Sequence, residues 1–220
     1  MKQKPGWVLP DLKEAQKRTT NSIDRIDTFT IPEAARMMGR GKTYFISTYG
    51  CQANERDSET LAGILDELGF TPNETAEGSD VIIINTCAIR QNAEEKVLGE
   101  IGNFKRLYRE NKDLIIGVCG CMAQEEGLVE TLLTKYPQVR LLFGTHNIQE
   151  LPSMLYSCMF EGKKVVKIYS KEGEVYENLP VHRFGTFKAW VNIMYGCDKF
   201  CTYCIVPYTC LLYTSDAADD

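Results

Sequence analysis

Three cysteines near the end of the chain have the spacing of a metal-binding loop. Cys197, Cys201 and Cys204, called the loop cysteines below, are separated by three and two residues, so one loop can fold three thiolates around one centre. Soft thiolates favour an iron–sulfur cluster or zinc. A structural zinc site is usually closed by four ligands, whereas three ligands on a four-iron cluster leave one iron open. The spacing favours such a cluster, and a zinc-binding or purely structural loop is the alternative.

Three other cysteines each follow a predicted strand. These strand-end cysteines are Cys51, Cys87 and Cys121. In an open parallel sheet the carboxyl ends of the strands lie along one edge, where ligands usually bind, so the three thiols can converge on one site. Each taken singly also fits an ordinary buried cysteine. Cys119 competes with Cys121 as a ligand, but alternation along the strand places Cys121 further toward the loop.

Other residues near these cysteines receive structural roles. We interpret Asn54 and Asn85 as turn residues, which together with Gly50 and Gly120 let the backbone bend tightly around a ligand. Three more residues lie outside any metal-binding spacing: His146 and His182 are assigned structural or surface roles, and Cys158 a place in the core.

The elements that position the cysteines follow from hydrophobic patterning. Short apolar runs at 43–48, 81–84, 114–118 and 139–143 predict strands. Apolar residues at helical spacing follow each run, at 61–68, 97–108, 128–133 and 148–156. Four such β-α units predict an α/β fold with a doubly wound, mostly parallel sheet.

Shifts in composition divide the chain into five parts. We predict an N-terminal extension (1–41), the α/β domain (42–158), a linker with a short hairpin (159–187), the start of a second domain (188–209) and a tail (210–220). A buried strand, Ala189 to Met194, is expected to lead into Cys197. The few residues after Lys188 cannot build a (β/α) barrel, which takes roughly 200 residues.

Composition narrows the class of protein. Hydrophobic residues make up 44% and charged residues 25% of 220 residues, as in ordinary folded proteins. No signal peptide or membrane-spanning run stands out, which predicts a cytoplasmic protein with no membrane contact. In that reducing compartment nine cysteines indicate ligation rather than disulfides. The net charge of −5 is not that of a nucleic-acid-binding domain, so any RNA contact lies in a local patch or outside this chain.

Five segments together resemble the methylthiotransferase family of the radical S-adenosylmethionine superfamily. They are Ser47 to Asn54, Asn85 to Arg90, Gly120 to Gln124, Phe143 to Asn147 and Gly196 to Thr209. The resemblance runs from about residue 42 to residue 209. Within the family they look most like the branch that modifies isopentenylated adenosine in tRNA. The branches acting on threonylcarbamoyl-adenosine tRNA or on a ribosomal protein are similar to a lesser degree.

The resemblance implies two 4Fe-4S clusters and S-adenosylmethionine as cofactors. It places the auxiliary cluster on the strand-end cysteines, with Cys121 rather than Cys119, and the radical-generating cluster on the loop cysteines at the truncated start of a radical S-adenosylmethionine (β/α) barrel. The open iron of the second cluster would bind S-adenosylmethionine, with Tyr203 near the adenine. Without the resemblance, a non-catalytic zinc-binding or electron-transfer module is the alternative.

The implied reaction adds a methylthio group to C2 of N6-isopentenyladenosine beside the tRNA anticodon. One S-adenosylmethionine supplies the methyl group, and a second yields the radical that removes hydrogen from C2. The expected partners are tRNA, bound mainly by regions beyond this chain, and an electron-donor protein; a monomer is expected. The resemblance stops after Thr209, so we expect residues 210–220 to be a non-native tail. We expect the truncated chain to bind the auxiliary cluster without turning over.

Overall fold

The predicted apolar runs form strands of one sheet in the computed structural model, which describes residues 24–26, 28–87, 91–124, 127–168 and 174–191. The strands are β1 (Asp24–Ile26), β2 (Thr43–Tyr49), β3 (Thr71–Pro72), β4 (Val81–Thr86), β5 (Ile115–Gly120), β6 (Val139–Phe143), β7 (Val165–Lys167) and β8 (Glu174–Tyr176). The helices are α1 (Gln52–Glu67), α2 (Gln91–Glu110), α3 (Leu128–Lys135) and α4 (Leu151–Phe160). Short 3-10 helices span Glu33–Ala35, Cys121–Gln124 and Thr145–Glu150.

The order of the strands confirms the predicted fold class. Six strands lie in the order β3-β2-β4-β5-β6-β7, and each neighbouring pair is parallel. The chain first crosses from β2 to β3 on one side and then builds β4 to β7 on the other. The order therefore reverses between β2 and β4, and the crevice beyond the carboxyl ends of such strands is where open α/β sheets bind ligands.

Helices cover both faces of this sheet. On one face α1 and α4 pack against inward-facing residues of β2, β4, β5 and β6, among them Tyr44, Ile83 and Phe143. On the other face α2 and α3 pack against Ile82 and Val118. β4 and β5 are buried along their whole length, as expected for central strands that read as continuous apolar runs. The cysteine-bearing ends therefore extend from a rigid core.

The segment predicted as a linker contributes to the sheet. β7 lies within it and pairs in parallel with β6, from Leu141 opposite Val165 to Phe143 opposite Lys167. β8, the next strand, pairs in parallel with β1 in a separate two-stranded sheet. These two strands therefore do not form the expected hairpin, because each finds its partner elsewhere in the chain. The domain boundaries themselves stay predictions.

Several predicted features fall wholly or partly outside the described residues. Of the strand predicted from Ala189 to Met194, residues 189–191 are described and are irregular, with the side chain of Val191 74% exposed. The expected burial is wrong for Val191, because no described strand pairs with this stretch. The loop cysteines, Tyr203 and the tail at 210–220 lie outside the described residues.

Candidate metal centre

The register of the sheet aligns the strand-end cysteines. Thr86, the last residue of β4, is opposite Tyr49 of β2 on one side and Gly120 of β5 on the other. Extending this register by one residue places Cys87 opposite Gly50 and Cys121. Parallel strands are roughly 4.8 Å apart, so three neighbouring chain segments bring their cysteines to one edge.

Glycine is required at two places on this edge. A Cβ on Gly50 would lie 2.6 Å from the Cβ of Cys87, so the turn before Cys51 lies directly against the end of β4. Gly120 has φ +97°, and a Cβ there would lie 2.1 Å from the carbonyl oxygen of Thr86. Both close approaches agree with the predicted tight bends. They hold the loops of β2 and β5 against β4.

Cys51 is the N-cap residue of α1, directly before Gln52, and is held there by Asn54. Its backbone N–H donates to Asn54 Oδ1 at 3.2 Å and its thiol to the same oxygen at 3.3 Å. The amide of Asn54 in turn donates to the carbonyl oxygen of Thr86 at 2.9 Å. One buried side chain therefore links the first cysteine to the residue that precedes Cys87.

Asn85 completes this buried polar network. Its amide donates to the backbone oxygen of Asn54 at 2.9 Å and to Ser58 Oγ at 3.0 Å, and its oxygen accepts from Asn54 at 3.1 Å. Ser58 also exchanges a 2.8 Å hydrogen bond with Thr48. The interpretation of Asn54 and Asn85 as turn residues is wrong, because one lies in the first turn of α1 and the other inside β4. The signal in the sequence was a polar residue directly after the apolar run 81–84, where a buried strand can continue.

The environment of Cys119 separates it from Cys121. Cys119 lies inside β5. Burial is the largest cause that raises the pKa of its thiol, and the nearby Asp57 carboxyl and Cys121 thiol raise it further. Burial also raises the pKa of the Asp57 carboxyl, although the Arg56 guanidinium 3.0 Å away acts to lower it. A metal ligand must be a thiolate, and this surrounding disfavours one. Cys121 follows the strand and opens the 3-10 helix Cys121–Gln124.

The side chains of the strand-end cysteines differ in exposure. Cys87 is buried, Cys121 is 8% exposed and Cys51 is more accessible, and no disulfide joins any of the five described cysteines. Within the described ranges, no three His, Cys, Asp or Glu side chains are arranged as a metal-binding group. The sheet thus aligns the three positions, while the thiol of Cys51 stays bonded to Asn54. Three cysteines at one edge of the sheet still fit a cluster by donor type, since iron–sulfur clusters are held by thiolates.

The remaining residues named from the sequence are also placed. Cys158 is fully buried in the core between α4 and the sheet, as predicted. His146 lies in the 3-10 helix after β6, and burial lowers its pKa to about 4, so its imidazole is neutral. His182 contacts Asp66 of α1, with Nδ1 and Oδ2 2.5 Å apart.

Comparison with known proteins agrees with this architecture. Residues 43–144 match the family described as "Uncharacterized protein family UPF0004". Proteins named tRNA-2-methylthio-N(6)-dimethylallyladenosine synthase are similar over almost the whole chain. The one from Geobacillus thermodenitrificans is 56% identical over 92% of this chain, and the one from Staphylococcus saprophyticus is 57% identical over 91%. The chain is thus similar to these synthases along most of its length, and its sheet domain matches the UPF0004 family.

The chain is much shorter than these synthases. The chain spans 39% of the length of both relatives. The UPF0004 match begins at the first residue of β2 and ends just after β6, and it includes all three strand-end cysteines. In the described part of the chain, no helix is both long and apolar enough to cross a membrane.

Proposed function

We propose that this chain is the front portion of a tRNA methylthiotransferase, an enzyme that adds a methylthio group to C2 of N6-isopentenyladenosine beside the anticodon. The observation that carries the proposal is the alignment of Cys51, Cys87 and Cys121 at the switch point of a parallel sheet. The name of the similar synthases, which specifies a 2-methylthio product on tRNA, supports the reaction. The reaction, its tRNA substrate and an electron-donor protein all belong to this proposal.

Two groups of cysteines would hold the cofactors. The strand-end cysteines would bind an auxiliary 4Fe-4S cluster, and the loop cysteines a second one with S-adenosylmethionine beside Tyr203. When bound, these groups supply radical chemistry at an unreactive aromatic C–H, which no protein acid or base could deprotonate at neutral pH. The side chains of the chain therefore bind and orient rather than transfer protons.

The described residues have a clear part in this scheme. Asn54 and Asn85 fix the start of α1 to the end of β4, which sets the distance between the backbones of Cys51 and Cys87. Cys51 as a thiolate could no longer donate to Asn54 Oδ1, so ligation releases its sulfur from that contact. The buried strands beneath the site keep water away from one side of the edge.

Iron counting on matched variants tests the ligand assignment. After anaerobic reconstitution with iron and sulfide, Cys87→Ala and Cys121→Ala should each lose about four iron atoms per chain relative to wild type, one 4Fe-4S cluster. Cys119→Ala is the matched control, since it removes a thiol two residues away and should keep the iron. Zinc in place of iron, or equal iron in all variants, would contradict the assignment.

The substrate is tested in cells. A strain lacking the full-length gene should lose the methylthio group from isopentenylated tRNA, measured by mass spectrometry of tRNA hydrolysates. Persistence of the group in that strain would refute the substrate, whatever the iron content.

A further inference from the structure

The chain after β8 lies along α1 and runs toward the candidate metal centre. We name residues 180–190 the strap. His182 contacts Asp66 near the end of α1, Arg183 contacts Glu59 at 2.6 Å, and Lys188 contacts Glu55 at 3.0 Å. These partners move step by step toward the N-terminus of the helix. The strap therefore ends beside the first turn of α1, which Cys51 directly precedes.

A helical glycine shows how closely the strap is seated. Gly63 lies in the interior of α1, where glycine is unfavourable for a helix. A Cβ at this position would lie 2.4 Å from the carbonyl oxygen of Pro180 and 2.5 Å from the nitrogen of Val181. The backbone of the strap therefore occupies the space that a side chain would need. In addition, His182 N–H donates to the backbone oxygen of Glu59 at 2.9 Å.

Charge pairing makes the docking specific. The Glu59 side chain is only 6% exposed, and its carboxylate is paired with Arg183 of the strap. Arg183 is 40% exposed, so undocking the strap would break an ion pair in which only the glutamate side is buried. At the other end, Trp190 Nε1 and Lys188 Nζ both donate to Glu55 Oε2 at 3.0 Å, and the Lys188 ammonium lies 4.0 Å from the centre of the Trp190 ring.

We propose that the strap is a positioning element that sets where the loop cysteines begin relative to the strand-end cysteines. This inference rests on the proposed function. Trp190 precedes Cys197 by seven residues, so covalent geometry keeps their Cα atoms within about 25 Å. Glu55, which holds Trp190, is four residues, or about 6 Å of helix, from Cys51. The strap thus anchors the seven-residue tether to Cys197 about one helical turn from Cys51.

Without docking, the tether would be longer. Glu177 is held to β1 by a 3.1 Å hydrogen bond to Ile26 and precedes Cys197 by 20 residues. Effective concentration falls with roughly the −3/2 power of tether length, so lengthening from seven to 20 residues lowers it about fivefold. Formation of the methylthio product, which needs both cysteine groups, should fall by the same factor. Release of deoxyadenosine from S-adenosylmethionine, which needs only the loop cysteines, should stay unchanged.

Limited trypsin digestion tests whether the strap is docked. Gly63→Ala should raise the rate of cleavage after Arg183 and Lys188 at least fivefold, with the cut sites identified by mass spectrometry. Gly99→Ala is the matched control, because Gly99 is an exposed helical glycine with open space where its Cβ would lie. Equal cleavage in the two variants would overturn the docking.

Product ratios in the full-length enzyme test the positioning role. Gly63→Ala should lower methylthio product about fivefold relative to deoxyadenosine released from S-adenosylmethionine, with Gly99→Ala unchanged. Glu55→Ala provides a variant that leaves folding intact, since its side chain is 49% exposed, and Glu77→Ala, 65% exposed, is its control. An unchanged ratio in both test variants would overturn the proposal. A wild-type enzyme with no methylthio product would instead contradict the proposed function.

Discussion

Removing the Asn85 side chain should destabilise the protein by about 3 kcal/mol. Asn85 is fully buried and makes three hydrogen bonds, to the backbone oxygen of Asn54, to Ser58 and to the Asn54 amide. Each intramolecular hydrogen bond contributes about 1 kcal/mol net, and a buried partner left unsatisfied costs at least as much. Asn85→Ala removes all three bonds at once, because they converge on one amide group.

Urea unfolding followed by circular dichroism measures this effect. The midpoint should fall while the slope with denaturant stays unchanged, which indicates lost stability rather than altered compactness. Asn103→Ala, at an exposed position of α2, is the control and should change the free energy of unfolding by less than about 0.5 kcal/mol. A loss of under about 1 kcal/mol for Asn85→Ala would refute the reasoning, since the network would then contribute little. Reconstituted Asn85→Ala should also release iron to a chelator faster, because the Asn54 side chain would then be joined to β4 only through the carbonyl oxygen of Thr86.

Two further perturbations test the edge of the sheet. Gly120→Ala should lower the free energy of unfolding by more than the roughly 1 to 2 kcal/mol of a left-handed residue, because the new methyl group also meets the Thr86 carbonyl; urea unfolding checks this, and a loss below about 1 kcal/mol would contradict it. The pKa of His146 is lowered to about 4 from 6.5, so stability from its neutral form is present above pH 6.5 and is lost as pH falls toward 4. The stability of His146→Gln should therefore depend less on pH over that window than wild type, and parallel pH profiles of unfolding would argue against a buried neutral imidazole.

The apolar patterning of the chain predicted most of the fold. The four predicted strands overlap β2, β4, β5 and β6, because continuous apolar runs are typical of strands buried on both faces. The apolar patterning did not predict β7, because this strand is only three residues long and lies in a polar stretch. Its pairing with β6 specifies it instead. β1 and β8 were missed for the same reason, as their pairing joins segments far apart in the sequence.

The sequence by itself determined the cysteines and their places at the ends of strands, because residue type and hydrophobic period are local properties. Only the tertiary structure decided that β2 and β4 are neighbours, which brings Gly50 against Cys87. It also revealed that Asn54 and Asn85 bond to each other and that the strap returns to α1. These contacts join residues more than 30 positions apart, and their partners are selected by register and packing rather than by any local pattern.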